Sequence, residues 1–305
     1  MFSTIANDSV QTLGTFMTSN TKTKWWKMWI YISLIFICTI IFAWYTHYGE
    51  IDFQRLANIP YQSETTIFHI LAPILLVILT YNKISVSTTF LILSVFTSQA
   101  MLGVILFKTI FGYFVGLGVN YLIWIILMRY FNKPMSDCDL DSKLWIVLEW
   151  MSTGVVWLLW LVNNVENIAV YVPRVLSIYE LFLFLALGII VIAFIFYNKG
   201  GPIQEIVKEK TEMTNIKYSC IFNLTFATII YFIGGIGKIP MATTWIFIGA
   251  LAGRELAMAG LKSDCSLTFI ERYKKARKFI LSDIRLAGIG ILISLIFVII
   301  SNISK

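Results

Sequence analysis

Two pairs of short polar motifs interrupt an otherwise apolar sequence, and their residue types suit the binding of small ions. The first pair consists of Asn7-Asp8 and Ser87-Thr88-Thr89. The second pair consists of Asn163-Asn164 with Glu166 and Asn167, and of Thr243-Thr244. Asparagine carbonyls and carboxylates are hard oxygen ligands that suit a sodium ion, and a carboxylate can also carry a coupled proton. Hydroxyls at a helix N-terminus can cap the helix and donate hydrogen bonds to an anion.

The two pairs recur at nearly the same spacing, which indicates an internal duplication. Asn7 and Thr88 are 81 residues apart, and Asn163 and Thr243 are 80 residues apart. The offset between the copies is 155–156 residues. Two motifs in the same order at nearly the same distance predict two membrane repeats, residues 1–131 and 144–305, joined by a polar linker at 132–143.

The composition indicates that lipid is the solvent for most of the protein surface. Of 305 residues, 58% are hydrophobic and only 13% are charged, with a mean hydropathy of +0.79. A soluble domain is typically about 25% charged. These values exclude a soluble enzyme, a disordered chain and a secreted disulfide scaffold. The net charge of +7 is explained by cytoplasmic loop cations, clustered at 22–27 and 271–285, so we expect no nucleic-acid partner.

Nine apolar segments predict the helices that position these motifs: 28–46, 66–81, 86–102, 111–130, 144–162, 176–197, 217–236, 243–260 and 286–303. A full span needs about 20 residues. Segments 66–81 and 217–236 end in polar or Gly/Pro breaks that lead into further short apolar runs. Such pairs form either two spans with a tight loop or a re-entrant hairpin whose tip lies inside the membrane.

We therefore predict an all-α fold, a polytopic membrane helix bundle with two internal, inverted repeats and two re-entrant helical hairpins. Residues 47–64 are expected to form an interfacial or external helix. Glu149 and Glu180 lie in apolar runs, where acids are costly, so we expect them to face the interior and relay protons or pair with a cation such as Arg174.

The paired motifs resemble those of the inorganic phosphate transporter (PiT) family, which carries a GANDxAN-type and a PVSTTH-type signature in each half. The chain departs from this pattern in the second half, where Asn164 replaces the aspartate and Glu166 follows two residues later. Ser85 replaces the first proline, and Ala242 and Trp245 replace a serine and a histidine. An apolar helix precedes the second copy, whereas six residues precede the first, so we expect either a divergent member without the first span or an incomplete N-terminus.

The resemblance implies secondary active transport of inorganic phosphate across the plasma (inner) membrane, by symport with sodium or protons. It also implies a multi-pass protein in the lipid bilayer that forms a homodimer and uses no cofactor beyond the coupling ion. The implied substrate-binding residues are Asp8, Ser87, Thr88, Thr89, Asn164, Thr243 and Thr244. The implied coupling-ion residues are Asn7, Asp8, Asn163, Glu166 and Asn167. A sodium site formed by these residues is the only metal site that the resemblance implies.

Each motif also has an ordinary structural interpretation. Asp8 could cap a helix in a surface tail, the threonines could cap helices or bond back to the preceding turn, and the asparagines could belong to an interfacial loop. The alternative functions are a permease for another tetrahedral anion such as sulfate, and a non-transporting membrane scaffold or sensor. We expect no enzymatic activity, because the sequence contains no HExxH or nucleotide-binding motif.

Overall fold

The computed structural model describes residues 1–61, 66–82, 84, 86–97, 99–130, 143–198, 216–235, 240–260 and 269–303. These ranges contain α-helices and no β-strand, which confirms the predicted all-α fold. In chain order the helices are α1 (Phe2–Thr12), α2 (Gly14–Ser19), α3 (Trp25–Thr46), α4 (Ile67–Tyr81), α5 (Ser94–Phe96, preceded by a π-helical turn at Thr89–Leu93), α6 (Gln99–Tyr130), α7 (Lys143–Asn164), α8 (Glu166–Ala169), α9 (Ile178–Tyr197), α10 (Ile216–Gly235), α11 (Thr243–Gly260) and α12 (Phe269–Ile303).

Six helices in the described part are long and apolar enough to cross a membrane, and they lie within α3, α6, α7, α9, α10 and α12. Large apolar side chains on their outer faces are exposed, for example Phe42 at 61%, Phe107 at 69% and Phe182 at 65%. Exposure on this scale is unfavourable in water and favourable against lipid chains. The chain is therefore a multi-pass membrane helix bundle, as its composition predicts.

The first two helices, α1 and α2, are buried inside this bundle. Ile5, Leu13 and Phe16 are fully buried and belong to the largest hydrophobic cluster. α1 packs against α4, α7 and α9. Asp8 is 1% exposed on the same helix, so the interpretation of Asp8 as a cap in a surface tail is wrong. A polar helix is buried here because its hydrophilic side chains find partners on neighbouring elements.

Helices α6 and α11 pack closely because glycines lie at their contact. A Cβ atom on Gly249 would lie 2.1 Å from the carbonyl oxygen of Tyr113, and one on Gly253 would lie 2.2 Å from that of Leu117. Small residues spaced four apart allow two membrane helices to approach backbone to backbone, where dispersion contacts replace those made with lipid. This packing fixes the position of Thr243 at the first residue of α11.

Three sequence predictions of helix bounds are wrong. The break predicted between segments 86–102 and 111–130 is wrong, because α6 runs without interruption from Gln99 to Tyr130, whereas residues 89–96 form the π-helical turn and α5 that precede it. Segment 286–303 is the second part of α12, which begins at Phe269 and includes the whole basic cluster at 271–285. Residues 50–60 form turns and bends instead of a helix. Left-handed backbone at Phe53 and Gln54, with φ of 55° and 61°, is incompatible with helix there.

The two predicted hairpin breaks are only partly described. α4 ends at Tyr81 and α10 ends at Gly235, and a helix begins again near Thr88 and at Thr243. Residues 83, 85 and 236–239 lie outside the described residues, and so do most of the predicted linker at 132–143 and the loop at 199–215. The re-entrant hairpins, the inverted repeats and the division into repeats at 1–131 and 144–305 therefore stay predictions.

Candidate functional site

Asp8 accepts hydrogen bonds from three elements in the interior of the bundle. The hydroxyl of Thr88 donates to Asp8 Oδ1 at 2.7 Å, and the amide of Asn7 donates to the same oxygen at 2.9 Å. The indole Nε1 of Trp160 on α7 donates to Oδ2 at 3.2 Å. Asn7 is held in turn by Thr80, whose hydroxyl donates to its carbonyl oxygen at 2.8 Å. The first pair of motifs is thus joined directly, carboxylate to threonine.

The second pair of motifs is joined in the same way. The hydroxyl of Thr243 donates to Asn164 Oδ1 at 3.2 Å, while the Asn164 amide donates to the carbonyl of Trp160 at 3.1 Å. Asn164 lies 156 residues after Asp8, and Thr243 lies 155 residues after Thr88, so the offset between the two motif copies relates both pairs of residues. Equivalent residues of the two halves therefore make equivalent contacts, one with a carboxylate acceptor and the other with an amide acceptor.

Two further hydrogen bonds cross between the halves. Gln11 Nε2, one helical turn from Asp8, donates to Thr243 Oγ1 at 3.2 Å and to Thr244 Oγ1 at 3.5 Å. Asn167 Nδ2 donates to Thr89 Oγ1 at 3.1 Å. Gln11 and Asn167 again occupy positions related by the offset of 156 residues. Each threonine pair is therefore contacted by an amide from the opposite half, so the four motifs form one site.

Acceptor oxygens without a hydrogen-bond donor cluster in the same motifs. Both carboxylate oxygens of Glu166, Gln11 Oε1 and Asn167 Oδ1 are buried and accept no hydrogen bond within the described part of the chain. Glu166 itself is 0% exposed. Buried acceptors are costly unless a donor or a cation satisfies them. Their chemistry, hard oxygens with at most one negative charge, suits a sodium ion or a proton.

Two of the predicted residues have mainly local roles in this structure. Ser87 Oγ accepts from the backbone N–H of Phe90 at 3.0 Å, so this serine caps the helical turn that begins at Thr88. Asn163 Nδ2 donates to the carbonyl of Leu159 at 2.7 Å. The Asn163 carbonyl oxygen accepts from the guanidinium of Arg55, and the role of Asn163 as a coupling-ion ligand, which the resemblance implies, stays a prediction.

Sequence reasoning missed three residues of this site: Gln11, Trp160 and Arg55. Gln11 had a detectable signal, because it follows Asp8 at helical spacing and matches Asn167 through the repeat offset. Trp160 had none, since a tryptophan in an apolar span is ordinarily a packing residue. Arg55 had none either, because it lies in a connector whose backbone conformation decides where its side chain points.

The intramembrane acids outside the motifs behave differently from each other. Glu149 on α7 is 1% exposed and accepts from Ser19 Oγ at 2.7 Å and Asn20 Nδ2 at 2.8 Å. Glu180 is exposed and forms a capping box with Ser177 at the start of α9. Arg174 donates to the carbonyl of Ile59 at 2.8 Å. Neither acid is paired with Arg174, so that prediction is wrong, and Glu180 does not face the interior.

Comparisons of the chain with models of protein families, with curated proteins and with solved structures find no match.

Proposed function

We propose that the chain is a secondary active transporter that moves inorganic phosphate across the plasma membrane by symport with sodium or protons. The supporting observation is the matched pair of contacts, Thr88 with Asp8 and Thr243 with Asn164, closed by the crossing bonds of Gln11 and Asn167. A site built from equivalent residues of two halves is the arrangement that alternating access requires, because each half can move against the other around it.

The threonine pairs are the proposed anion-binding groups. Thr243 begins α11, and Thr88 begins the helical turn that leads into α5, so free backbone N–H groups and hydroxyl donors lie together at both places. An anion in a membrane interior is stabilised by such donors without a permanent opposite charge. In this structure the hydroxyls donate to Asp8 and Asn164, and substrate binding exchanges these contacts for contacts with phosphate oxygens.

The unpaired acceptors favour phosphate over sulfate. Phosphate at neutral pH keeps at least one hydroxyl group that donates a hydrogen bond, whereas sulfate has none. Glu166 has a buried carboxylate without a donor in the described residues and lies beside Asn167, which contacts Thr89; an acceptor that is desolvated and left unpaired discriminates strongly against a ligand that lacks the donor. The same acceptors suit the coupling cation, which also reduces the net charge that crosses the membrane.

Uptake of radiolabelled phosphate in cells without their own phosphate transporters tests this proposal. Wild type, Asp8→Asn and Thr243→Val are compared with a matched control, Thr109→Val, whose hydroxyl donates, among the described residues, to the carbonyl of Ile105 in its own helix. We expect wild type and the control to take up phosphate, and the two site variants to lose at least about tenfold, the equivalent of one hydrogen bond. Surface-membrane levels are matched by immunoblotting.

Four outcomes distinguish the alternatives. Uptake that collapses when the sodium gradient is removed assigns sodium as the coupling ion, and uptake that follows the proton gradient assigns the proton. Competition by sulfate stronger than competition by arsenate supports the sulfate permease and contradicts phosphate selectivity. If cells with correctly inserted wild-type protein take up no more phosphate than cells with the empty vector, the result contradicts transport and supports a scaffold or sensor.

A further inference from the structure

Arg55 enters the site from the connector between α3 and α4. The connector folds back on itself at Phe53 and Gln54, where the backbone is left-handed. Asp52 stabilises this turn, because its Oδ2 accepts from the backbone N–H of Leu56 at 2.7 Å. The result is an arginine that is only 5% exposed although it lies in a connector. Burial of a permanent charge is costly and requires specific compensation.

The guanidinium of Arg55 binds the ends of two helices. Its Nε donates to the carbonyl of Val162 at 2.8 Å, and its Nη2 donates to the carbonyl of Gly234 at 2.9 Å and to Asn163 Oδ1. A Cβ on Gly234 would lie 2.0 Å from Asn163 Oδ1, so only glycine leaves room for this contact. Arg55 is thereby fixed where α7 ends and α8, with Glu166, begins.

Arg55 and Glu166 are the complementary charges at this place. In the described residues, the two carboxylate oxygens of Glu166 have no hydrogen-bond partner, and the Nη1 group of Arg55 has none either. Burial lowers the pKa of Arg55, and the Glu166 carboxylate is the strongest of the groups that raise it, followed by Asp52. An arginine stays protonated in proteins even so. Its charge therefore compensates Glu166 electrostatically, without a direct ion pair.

We propose that Arg55 is the resident counter-cation of Glu166 and supplies the positive charge that a coupling sodium ion or proton would otherwise supply in the second half of the site. Its consequence for transport, fewer coupling cations for each anion, rests on the proposed function. The counter-cation role itself does not. The other charged groups near this pair are Asp52 beside Arg55, Asp8 across from Glu166, and Lys108 on α6, which interacts electrostatically with Arg55.

Thermal unfolding of the purified full-length protein tests the charge role without any substrate. Wild type, Arg55→Gln, Arg55→Lys and Arg55→Gln/Glu166→Gln are unfolded in sodium chloride and in choline chloride at equal ionic strength, each at pH 6 and pH 8. Arg174→Gln is the matched control, since Arg174 is a connector arginine that also binds a backbone carbonyl. The expected result is that sodium or protons raise the midpoint of Arg55→Gln by several degrees more than that of wild type.

The double variant and the lysine variant separate charge from packing. We expect Arg55→Gln/Glu166→Gln to lose this additional cation response, because no buried carboxylate is left to compensate. Arg55→Lys keeps the positive charge but loses the set of hydrogen bonds that the guanidinium makes to Val162, Gly234 and Asn163. We expect its unfolding midpoint to respond to cations as that of wild type does. An Arg55→Gln response equal to that of wild type, or one that persists in the double variant, overturns the proposal.

Phosphate uptake adds a second readout. If the protein transports phosphate, Arg55→Gln is expected to need at least tenfold more sodium or a lower pH for half-maximal uptake, and the double variant is expected to return toward wild type. Loss of uptake in Arg55→Gln that neither cations nor the second substitution restore overturns the proposal, because Arg55 then contacts the anion directly. Absence of uptake in wild type contradicts the proposed function alone, and the unfolding experiment still decides the role of Arg55.

Discussion

The two equivalent threonines differ in the charge of their acceptors, and this difference predicts unequal effects of the same substitution. Thr88 donates to the Asp8 carboxylate at 2.7 Å and also accepts from Asn7 at 2.8 Å. Thr243 donates to the neutral Asn164 amide at 3.2 Å. Replacement by valine keeps the shape of the side chain and removes only the hydroxyl. We therefore expect Thr88→Val to destabilise the protein more than Thr243→Val does.

The magnitude follows from the type of hydrogen bond. A bond to a charged group contributes about 1.5–3 kcal/mol, and a bond between neutral groups about 0.5–1.5 kcal/mol. The expected costs are about 2–3 kcal/mol for Thr88→Val and about 1 kcal/mol for Thr243→Val. At about 2–4 °C for each kcal/mol, the unfolding midpoint falls by about 4–12 °C in the first variant and about 2–4 °C in the second.

Thermal unfolding of the purified protein in detergent measures this difference directly. Thr109→Val, which removes an intrahelical bond only, sets the baseline for a buried threonine. In an Asp8→Asn background the acceptor of Thr88 is neutral, so the excess cost of Thr88→Val should largely disappear. Equal midpoints for Thr88→Val and Thr243→Val, or an excess that persists with Asn at position 8, would refute the reasoning from acceptor charge.

Two further pairs of substitutions test the framework around the site. Gly249→Ala should destabilise the protein and lower its yield in membranes, because the new Cβ would lie 2.1 Å from a backbone oxygen of α6, whereas Gly118→Ala meets nothing within 4 Å and should be neutral or stabilising. Glu149→Leu removes the carboxylate that accepts from Ser19 and Asn20, both of which keep a bond to a backbone carbonyl of α2, so we expect a total cost of about 1–3 kcal/mol. Glu149→Gln keeps one acceptor and should lower the unfolding midpoint less, and a reversed order of the two variants contradicts this role.

Much of the site could be predicted from the sequence because its residues are polar where the solvent is lipid. Asp8, Glu166 and the threonine pairs stand out against an apolar background, and the repeat offset relates Asp8 to Asn164 and the two threonine pairs to each other. The structure brings Asp8 to Thr88 and Asn164 to Thr243 across 80 and 79 residues of chain. The role of these contacts in transport stays a prediction.

The helix bounds and the inserted arginine could not be predicted. Composition alone placed a break inside 103–110, but α6 continues through it because its packing against α11 outweighs the weak helix propensity of its glycines. The sequence likewise assigned a helix to residues 47–64, but the described residues 47–61 form turns and bends, with left-handed backbone at Phe53 and Gln54.

By itself, then, the sequence determined that lipid surrounds most of the protein surface, that the fold is all-α, and which polar residues form most of the site. It could do so because hydropathy and motif spacing are local or periodic properties. Only the tertiary structure decided which donors meet which acceptors. Arg55 illustrates the physical reason: its destination beside Val162 and Gly234 depends on carbonyls left free at two helix ends. Those ends come together only when the whole bundle packs, so no pattern within the connector could reveal them.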